Sequence, residues 1–209
     1  NDRIISYYGI TQDPNTKEFV IIMEYCKTGD LSYYIANDFF NISWDAKLYH
    51  LWNIAHGLLN IHKKSIIHRD FHSGNILIKN SNTIRIGDLG LSKSATEAED
   101  NETYGIIPYV APEVLQGQKY TKASDVYSFG MIMWECMTGR RPFWDRAHDI
   151  ELIIDICDGL RPPTSNINAP EGYIEIMKEC WDPDPRKRQT AEILRLILLF
   201  FIHLCFHPR

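Results

Sequence analysis

The stretch from Ile66 to Gly90 constrains the fold of this chain more than any other. An apolar run enters a polar loop, and the chain leaves this loop through the apolar segment 76–78. A polar turn at 79–82 and a second short apolar segment at 83–86 follow. This pattern predicts a β-hairpin whose second strand ends close to Asp88.

A hairpin of this kind fixes the distance between its two ends, and polar side chains stand at both. Asp70 and Asn75 precede the first strand, and Asp88 follows the second. We therefore expect two carboxylates and one amide to converge on a shared cleft. Carboxylate and amide oxygens are hard ligands that suit Mg²⁺ held together with substrate phosphates. The sequence thus predicts a magnesium and phosphate site at this hairpin.

Composition and charge narrow the class of protein. Of the 209 residues, 44% are hydrophobic and 23% are charged, which is typical of a soluble globular protein with one domain or two small ones. The net charge of -5 indicates neither a nucleic-acid partner nor a polybasic membrane surface. The five cysteines form no CxxC pair, which favours a reducing, cytoplasmic setting over a disulfide framework or a zinc site. His68 and His72 stand at i,i+4, but without a third ligand nearby they are a poor zinc site.

Turn residues and apolar spacing divide the rest of the chain into further elements. Segments 4–10 and 18–25 are predicted to pair as a hairpin around the turn cluster 11–15. Asp125 falls in a stretch that is apolar nearly all round, where an unpaired carboxylate would be costly. Helices are predicted over residues 31–40, from a cap at Ser43 or Asp45 to residue 64, over 121–138, 147–157 and 171–180, and from 190 onward.

Five motifs along the chain resemble those of protein kinases. They are, in order, His68-Arg69-Asp70 followed by Asn75, Asp88-Leu89-Gly90, Ala111-Pro112-Glu113, Ser124-Asp125-Val126-Tyr127-Ser128-Phe129-Gly130, and the segment from Cys180-Trp181-Asp182-Pro183 to Arg188. One such tripeptide would say little, whereas five in the right order at workable spacings are specific. The resemblance covers nearly all of residues 4–190. It implies an α+β, protein-kinase-like fold with a mostly helical C-lobe and a partial N-lobe β-hairpin.

The resemblance implies ATP and Mg²⁺ as cofactors and a protein as substrate. Asp70 would orient the substrate hydroxyl toward the γ-phosphate, and Asn75 and Asp88 would hold Mg²⁺. Arg69, next to Asp70 in the sequence, would pair with a phosphate on the activation segment. Around the nucleotide the same resemblance assigns five residues: Met23, Glu24, Cys26, Asp30 and Leu77.

Structural roles also follow from the resemblance. Asp125 would accept hydrogen bonds from the backbone of the catalytic loop, which is the polar loop that contains the first motif, His68 to Asn75. Glu113 and Arg188 would form a buried ion pair that ties the activation segment to the late helices. His68 is expected to pack under Leu89.

The connection between Gly90 and Glu113 is too long for an ordinary loop in a compact domain. Without the resemblance it would be interpreted as a solvated loop that carries an acidic run. The resemblance makes it an activation segment whose hydroxyl groups can be phosphorylated. Thr103 and Tyr104 are the candidates nearest its end.

The chain departs from the kinase pattern at several positions. Leu89 replaces the usual Phe, His72 stands where serine/threonine kinases usually carry Lys, and Gly74 stands where many tyrosine kinases carry Arg. Ile106 replaces a Thr that is frequent in serine/threonine kinases. These positions leave the type of substrate hydroxyl open. The later motifs look most like the tyrosine-kinase-like group of serine/threonine kinases, which favours Ser or Thr over Tyr.

The resemblance divides the chain into three parts. Residues 1–25 would be the fourth and fifth strands of the N-lobe, 26–192 the hinge and C-lobe, and 193–209 an atypical apolar tail. The Gly-rich loop and the strand that bears the phosphate-binding Lys would precede residue 1. The sequence is therefore expected to be an N-terminally truncated kinase with little activity by itself. The alternative is a pseudokinase-like scaffold or binding module, which the intact acidic and amide residues disfavour.

The tail is unusually apolar, since Arg195 and His203 are the only polar residues between positions 193 and 206. This length falls short of the roughly 20 residues that span a bilayer, so no membrane span is expected. A final helix packed on the C-lobe is predicted instead for the first half of this segment. Residues 200–202 are more apolar than an exposed helix requires, which makes them either a candidate contact surface or a mis-joined terminus.

Overall fold

The computed structural model of the chain describes residues 2–80, 83–94, 105–165 and 169–206, without the side chains of 205 and 206. Within these ranges the strands are β1 (Tyr7–Gln12), β2 (Phe19–Met23), β3 (Ile66–Ile67), β4 (Ile76–Asn80), β5 (Thr83–Ile86) and β6 (Lys93–Ser94). The α-helices are α1 (Leu31–Asp38), α2 (Trp44–Lys63), α3 (Pro112–Leu115), α4 (Lys122–Thr138), α5 (Ile150–Cys157), α6 (Tyr173–Cys180) and α7 (Ala191–Phe206). Short 3₁₀ turns lie at Ser73–Asn75, Ile107–Tyr109 and Pro185–Lys187.

The strands form antiparallel pairs, β1 with β2, β3 with β6 and β4 with β5. The β4–β5 pair is the hairpin predicted behind the polar loop, and Ile76 lies opposite Ile86 in its register. With helices making up most of the remainder, the α+β, mostly helical fold is confirmed.

The first hairpin is offset from the prediction. β1 begins at Tyr7 and continues to Gln12, so the turn starts at Asp13. Ile4 instead forms a parallel bridge with Ile86, and the Ile5 amide donates to the Ile86 carbonyl at 2.9 Å. The start of the chain therefore docks on the β4–β5 hairpin, a tertiary contact that strand propensity does not reveal.

Helix α2 forms the centre of the core and packs against α7 and β5. Ser43 caps its N-terminus by accepting a hydrogen bond from the Ala46 amide at 3.2 Å, as predicted for one of two candidate caps. Helix α4 is buried over most of its length and packs against α6. Thr121 caps its start, and Gly139, with φ of 76°, ends it where predicted.

Two later helices start after their predicted positions because of local capping. Asp149 caps α5 through the Leu152 amide, so this helix begins at Ile150 instead of about residue 147. Gly172 adopts a left-handed φ of 81°, and α6 therefore begins at Tyr173 instead of residue 171.

The apolar tail continues as one helix. The buried face of α7 carries Leu194, Leu198, Phe201 and Ile202. Its other face exposes Phe200, so the run 200–202 is divided between the core and the surface. In the part of the chain that the structure describes, none of the helices combines the length and apolarity that crossing a bilayer requires.

Candidate active site

Asp125 anchors the polar loop from beneath. Its carboxylate is almost completely buried and accepts hydrogen bonds from the backbone amides of His68 at 2.9 Å and Arg69 at 3.0 Å. His62, in the last turn of α2, donates to the same carboxylate through Nε2 at 2.8 Å. The buried charge is therefore compensated by three donors. The sequence reasoning anticipated the amide bonds but missed His62, which lies 63 positions away.

Arg69 adopts a left-handed backbone conformation with φ of 73°, which is unusual for a long side chain. The bond from its amide to Asp125 stabilises this conformation. Its side chain is buried, and the guanidinium lies 4.8 Å from the centre of the Tyr120 ring. The proposed pairing of Arg69 with a phosphate stays a prediction, because residues 95–104 lie outside the described part of the chain.

Asp70 directly follows Arg69, and each of its carboxylate oxygens lies near a side-chain nitrogen. Asn75 Nδ2 donates to Oδ2 at 3.1 Å and to the Asp70 carbonyl at 2.9 Å. His72 Nε2 lies 3.5 Å from Oδ1. The hydrogen bond from His72 lowers the pKa of Asp70, while burial opposes this shift. Asp70 is therefore an ionised acceptor at neutral pH.

The β4–β5 hairpin brings Asp88 next to Asn75. The Gly87 amide donates to the Asn75 carbonyl at 2.8 Å, which ties the end of β5 to the start of β4. Asp88 follows with a left-handed φ of 47°, and its Oδ1 accepts from the Gly90 amide at 3.2 Å. Because the amide nitrogen of Asn75 faces Asp70, its oxygen is the atom left for a cation. An amide oxygen and a carboxylate are donors that fit Mg²⁺.

His68 contacts Gly87 and Phe71, and its expected packing under Leu89 stays a prediction. Its Nε2–H donates to the Gly87 carbonyl at 3.0 Å, and its ring packs edge-on against Phe71 with 5.2 Å between centroids. Burial lowers the pKa of His68, which keeps the ring neutral. Leu89 is partly buried at the edge of the main core, and its amide lies 3.5 Å from the Tyr7 hydroxyl. His68 thus positions the residue that precedes Asp88.

The segment after β2 is bound to the β4–β5 hairpin by ion pairs that sequence reasoning missed. Glu24 contacts Lys79 Nζ at 2.6 Å and Arg85 Nε at 3.2 Å. The hydrogen bond from Lys79 lowers the pKa of the Glu24 carboxyl. Backbone bonds occupy the Glu24 amide, which donates to Ser6, and the Cys26 carbonyl, which accepts from Gly29. The Glu24 carbonyl and the Cys26 amide make no backbone hydrogen bond within the described part of the chain.

The other candidate nucleotide-binding residues lie close to this segment. Asp30 forms an antiparallel bridge with Leu77, so these two predicted positions are neighbours. The Asp30 carboxylate also caps α1 by accepting from the Tyr33 amide at 2.8 Å. Met23, at the end of β2, is 41% exposed. The structure therefore brings Asp30 and Leu77 together and leaves Met23 at an open edge.

Comparison with known proteins assigns the chain to a family. The family model described as protein tyrosine and serine/threonine kinase matches residues 1–198. This chain is a protein kinase family member. The match extends through both the first hairpin and the first part of α7, so it covers every element that positions the candidate site.

Relatives of this kinase include proteins named as serine/threonine kinases. A probable serine/threonine-protein kinase, drkB, from Dictyostelium discoideum is 33% identical over 84% of the chain. Stress-activated protein kinase alpha from the same organism is 32% identical over 90%, and the serine/threonine-protein kinase Nek9 from Xenopus laevis is 34% identical over 92%. The chain spans 26%, 31% and 20% of the lengths of these relatives.

Glu113 and Arg188 of this kinase form a buried, two-pronged ion pair. Nη1 and Nη2 of Arg188 each donate to one carboxylate oxygen of Glu113 at 2.7 Å. Arg188 also donates to the carbonyls of Ala123 at 3.0 Å and Asp182 at 2.9 Å. The pair joins α3 to the start of α4 and to the segment before α7. Thr103 and Tyr104, the predicted phosphorylation sites, lie outside the described residues.

A second polar network links the catalytic loop of the kinase to the segment before α3. The Tyr109 hydroxyl donates to Glu135 at 2.7 Å and lies 3.4 Å from the Ser73 hydroxyl. Ser128 donates to the Tyr109 carbonyl at 2.7 Å. Burial raises the pKa of Glu135. The apolar spacing of α4 did not indicate that Glu135 bonds to Tyr109, because such spacing shows only which positions are buried.

Gly105 is a functional candidate that the sequence reasoning missed. Its φ is 104°, and a Cβ at this position would lie 3.3 Å from Oδ1 of Asp70 and 3.3 Å from Cγ2 of Val110. We expect Gly105→Ala to lower the turnover number severalfold, because a contact of this length forces its neighbour to shift by a few tenths of an ångström and a misplacement of about 1 Å can cost about 10²-fold. Steady-state kinetics of the full-length protein would measure this.

Gly159→Ala is the matched control. Gly159 has nearly the same φ, 105°, but its added Cβ would meet nothing within 4 Å. Both substitutions therefore introduce the same backbone strain, and only one approaches Asp70. Equal turnover in the two variants would contradict the proximity argument.

Proposed function

We propose that this kinase transfers the γ-phosphate of ATP to a serine or threonine hydroxyl of a protein substrate. The observation that carries the proposal is the environment of Asp70. This ionised carboxylate has a side-chain donor beside each oxygen, on a loop that the buried Asp125 anchors. A carboxylate held in this way can receive and orient one hydroxyl group.

Asp70 acts by positioning. It accepts a hydrogen bond from the substrate hydroxyl and directs the oxygen along the line of attack on the phosphate. The lowered pKa of Asp70 keeps the carboxylate ionised and therefore able to accept. Asn75 maintains its orientation through the two bonds from Nδ2. Phosphoryl transfer needs little covalent help from the protein, so this positioning is a large part of its contribution.

The donor set of Asn75 and Asp88 fits a magnesium ion. Asn75 would contribute its amide oxygen and Asp88 its carboxylate. Mg²⁺, when bound, neutralises charge on the nucleotide phosphates. The bond between the Gly87 amide and the Asn75 carbonyl keeps the two ligand residues at a fixed spacing.

The adenine base would be bound by the segment that follows β2. The Glu24 carbonyl supplies an acceptor and the Cys26 amide a donor, which matches the alternating donor and acceptor groups of an adenine edge. Met23 would lie behind the base, Leu77 beneath it, and Asp30 beside the ribose. The ion pairs of Glu24 with Lys79 and Arg85 support this assignment because they hold the segment against the β4–β5 hairpin.

The named relatives favour serine or threonine over tyrosine as the acceptor, because two of them are named as serine/threonine kinases. We further propose a cytoplasmic location, where ATP is abundant and the four described cysteines, which are free thiols, would stay reduced.

The test is phosphate transfer from radiolabelled ATP to a panel of protein substrates by the full-length protein, followed by phosphoamino-acid analysis. We expect label on serine and threonine. Label confined to tyrosine would overturn the choice of acceptor. A protein that transfers no phosphate and gains no thermal stability from Mg²⁺ and ATP would instead be a scaffold.

A further inference from the structure

Two departures from the kinase pattern, His72 and Gly74, form one structural unit. A Cβ placed on Gly74 would lie 2.9 Å from Cε1 and 3.0 Å from Nδ1 of His72. Real Cβ atoms essentially never come closer than 3.0 Å to another heavy atom. The imidazole thus fills the space that a side chain at position 74 would need. Gly74 is required here for space, since its φ is not in the left-handed region.

Hydrogen bonds fix which nitrogen of His72 carries the proton. The Gly74 amide donates to Nδ1 at 3.1 Å, as expected of a residue that caps the 3₁₀ turn Ser73–Asn75. A nitrogen that accepts an amide hydrogen has no proton of its own, so the proton of the neutral ring is on Nε2. Nε2 is the atom that lies 3.5 Å from Oδ1 of Asp70. His72 therefore directs an N–H group at the carboxylate.

The surroundings of His72 keep the ring in this orientation. Its side chain is 14% exposed, and the Tyr109 ring packs against it with 5.8 Å between centroids. Tyr109 is itself held by its hydrogen bond to Glu135. On the far side of Asp70, Asn75 donates to Oδ2 at 3.1 Å. Asp70 thus lies between two oriented donors.

We propose that His72 is a positioning residue for Asp70, and that Gly74 is required because it leaves room for the imidazole. The Nε2–H group holds the carboxylate in the orientation that receives the substrate hydroxyl. The proposal rests on the proposed phosphotransfer function. It states that residues 72 and 74 together determine the orientation of the Asp70 carboxylate.

Two substitutions at position 72 separate the contact with Asp70 from the capping of the 3₁₀ turn. In His72→Asn the amide oxygen can still accept from the Gly74 amide, but the side chain is too short to reach Asp70. In His72→Gln an amide nitrogen takes the place of Nε2. We expect His72→Asn to lower the turnover number about tenfold, with KM for ATP within about twofold of wild type. His72→Gln should restore turnover to within about threefold of wild type.

A double-mutant cycle tests the link to Gly74. Gly74→Ala should lower the turnover number about tenfold when His72 is present, because the new Cβ displaces the ring. In a His72→Ala background the same change should alter turnover by less than about twofold. Additive losses would overturn the proposed unit. The cycle also tests the link to Gly74 if His72→Asn proves to lower the melting temperature. Its second arm compares His72→Ala with His72→Ala carrying Gly74→Ala, and both of these proteins lack the imidazole ring.

Asp70→Asn distinguishes failure of this proposal from failure of the proposed function. If Asp70→Asn is inactive while His72→Asn turns over at the wild-type rate, the function stands and the role of His72 is refuted. If His72→Gln is as slow as His72→Asn, the contact with Asp70 is also refuted. If Asp70→Asn keeps wild-type activity, the proposed function fails and the inference about His72 fails with it.

Discussion

Asp70→Asn is expected to bind ATP as the wild-type protein does and to transfer phosphate about 10²–10⁴-fold more slowly, the range typical of lost acid–base assistance. The substitution keeps the size and shape of the side chain. It replaces one carboxylate oxygen with an amide nitrogen, which cannot accept a proton or a hydrogen bond from the substrate hydroxyl. Asn75 and His72 both direct donors at this group, so the new amide also opposes at least one of them.

The measurement is the initial rate of phosphate transfer, together with the ATP affinity and the melting temperature of each protein. Unchanged affinity and melting temperature would show that the loss is specific to the transfer step. A rate within tenfold of wild type would contradict the assignment of Asp70 as the group that positions the hydroxyl.

Arg188→Ala is expected to destabilise the fold by about 3–5 kcal/mol, the usual cost of leaving one partner of a buried ion pair alone. The Arg188 side chain is fully buried, and Glu113 would remain buried without either of its two hydrogen bonds. The carbonyls of Ala123 and Asp182 would lose a donor as well. For a domain of this size, the melting temperature should fall by roughly 6–20 °C.

Arg186→Ala is the matched control for this experiment. Arg186 also pairs with an acidic residue, Asp184, at 2.9 Å, but its side chain is 89% exposed. Exposed pairs contribute about 0–1 kcal/mol, so its removal should barely change the melting temperature. A double variant, Glu113→Leu with Arg188→Met, should recover part of the stability lost in Arg188→Ala, since it leaves no buried charge. Equal melting temperatures for Arg188→Ala and Arg186→Ala would contradict the importance of the buried pair.

The sequence predicted features that depend on local signals. The hairpin behind the catalytic loop follows from two apolar segments around a polar turn, and Thr121 and Gly139 mark the ends of α4 through ordinary capping chemistry. The contact between Asp125 and the catalytic loop came from the resemblance to kinases. In each case a few residues close together in the sequence, or a motif, determine the outcome.

Features that depend on tertiary contacts were missed or misplaced. Ile4 and Ile10 look equally suited to a strand, but Ile4 docks on Ile86 and only Ile10 lies in β1. The ion pairs of Glu24 join residues that are far apart in the sequence, so no local pattern indicates them. His72 and Gly74 were both recognised as departures from the family, but their fit to each other requires coordinates.

The apolar tail is a further case in which the sequence predicted the helix but not which of its side chains are buried. Composition predicted a helix packed on the C-lobe, which α7 is. It could not predict which side chains of the run 200–202 face the core. Phe201 and Ile202 do, and Phe200 is 61% exposed.

The shift in melting temperature that ATP produces in the full-length protein, measured with and without Mg²⁺, tests most directly whether Asn75 and Asp88 hold the metal for phosphate transfer. With ATP at about 100 times its dissociation constant, we expect a stabilisation of about 2.7 kcal/mol that depends on Mg²⁺. Asp88→Asn should lose most of the Mg²⁺-dependent part. The same shift with and without Mg²⁺, or the same Mg²⁺-dependent shift in wild type and Asp88→Asn, would contradict the proposed site.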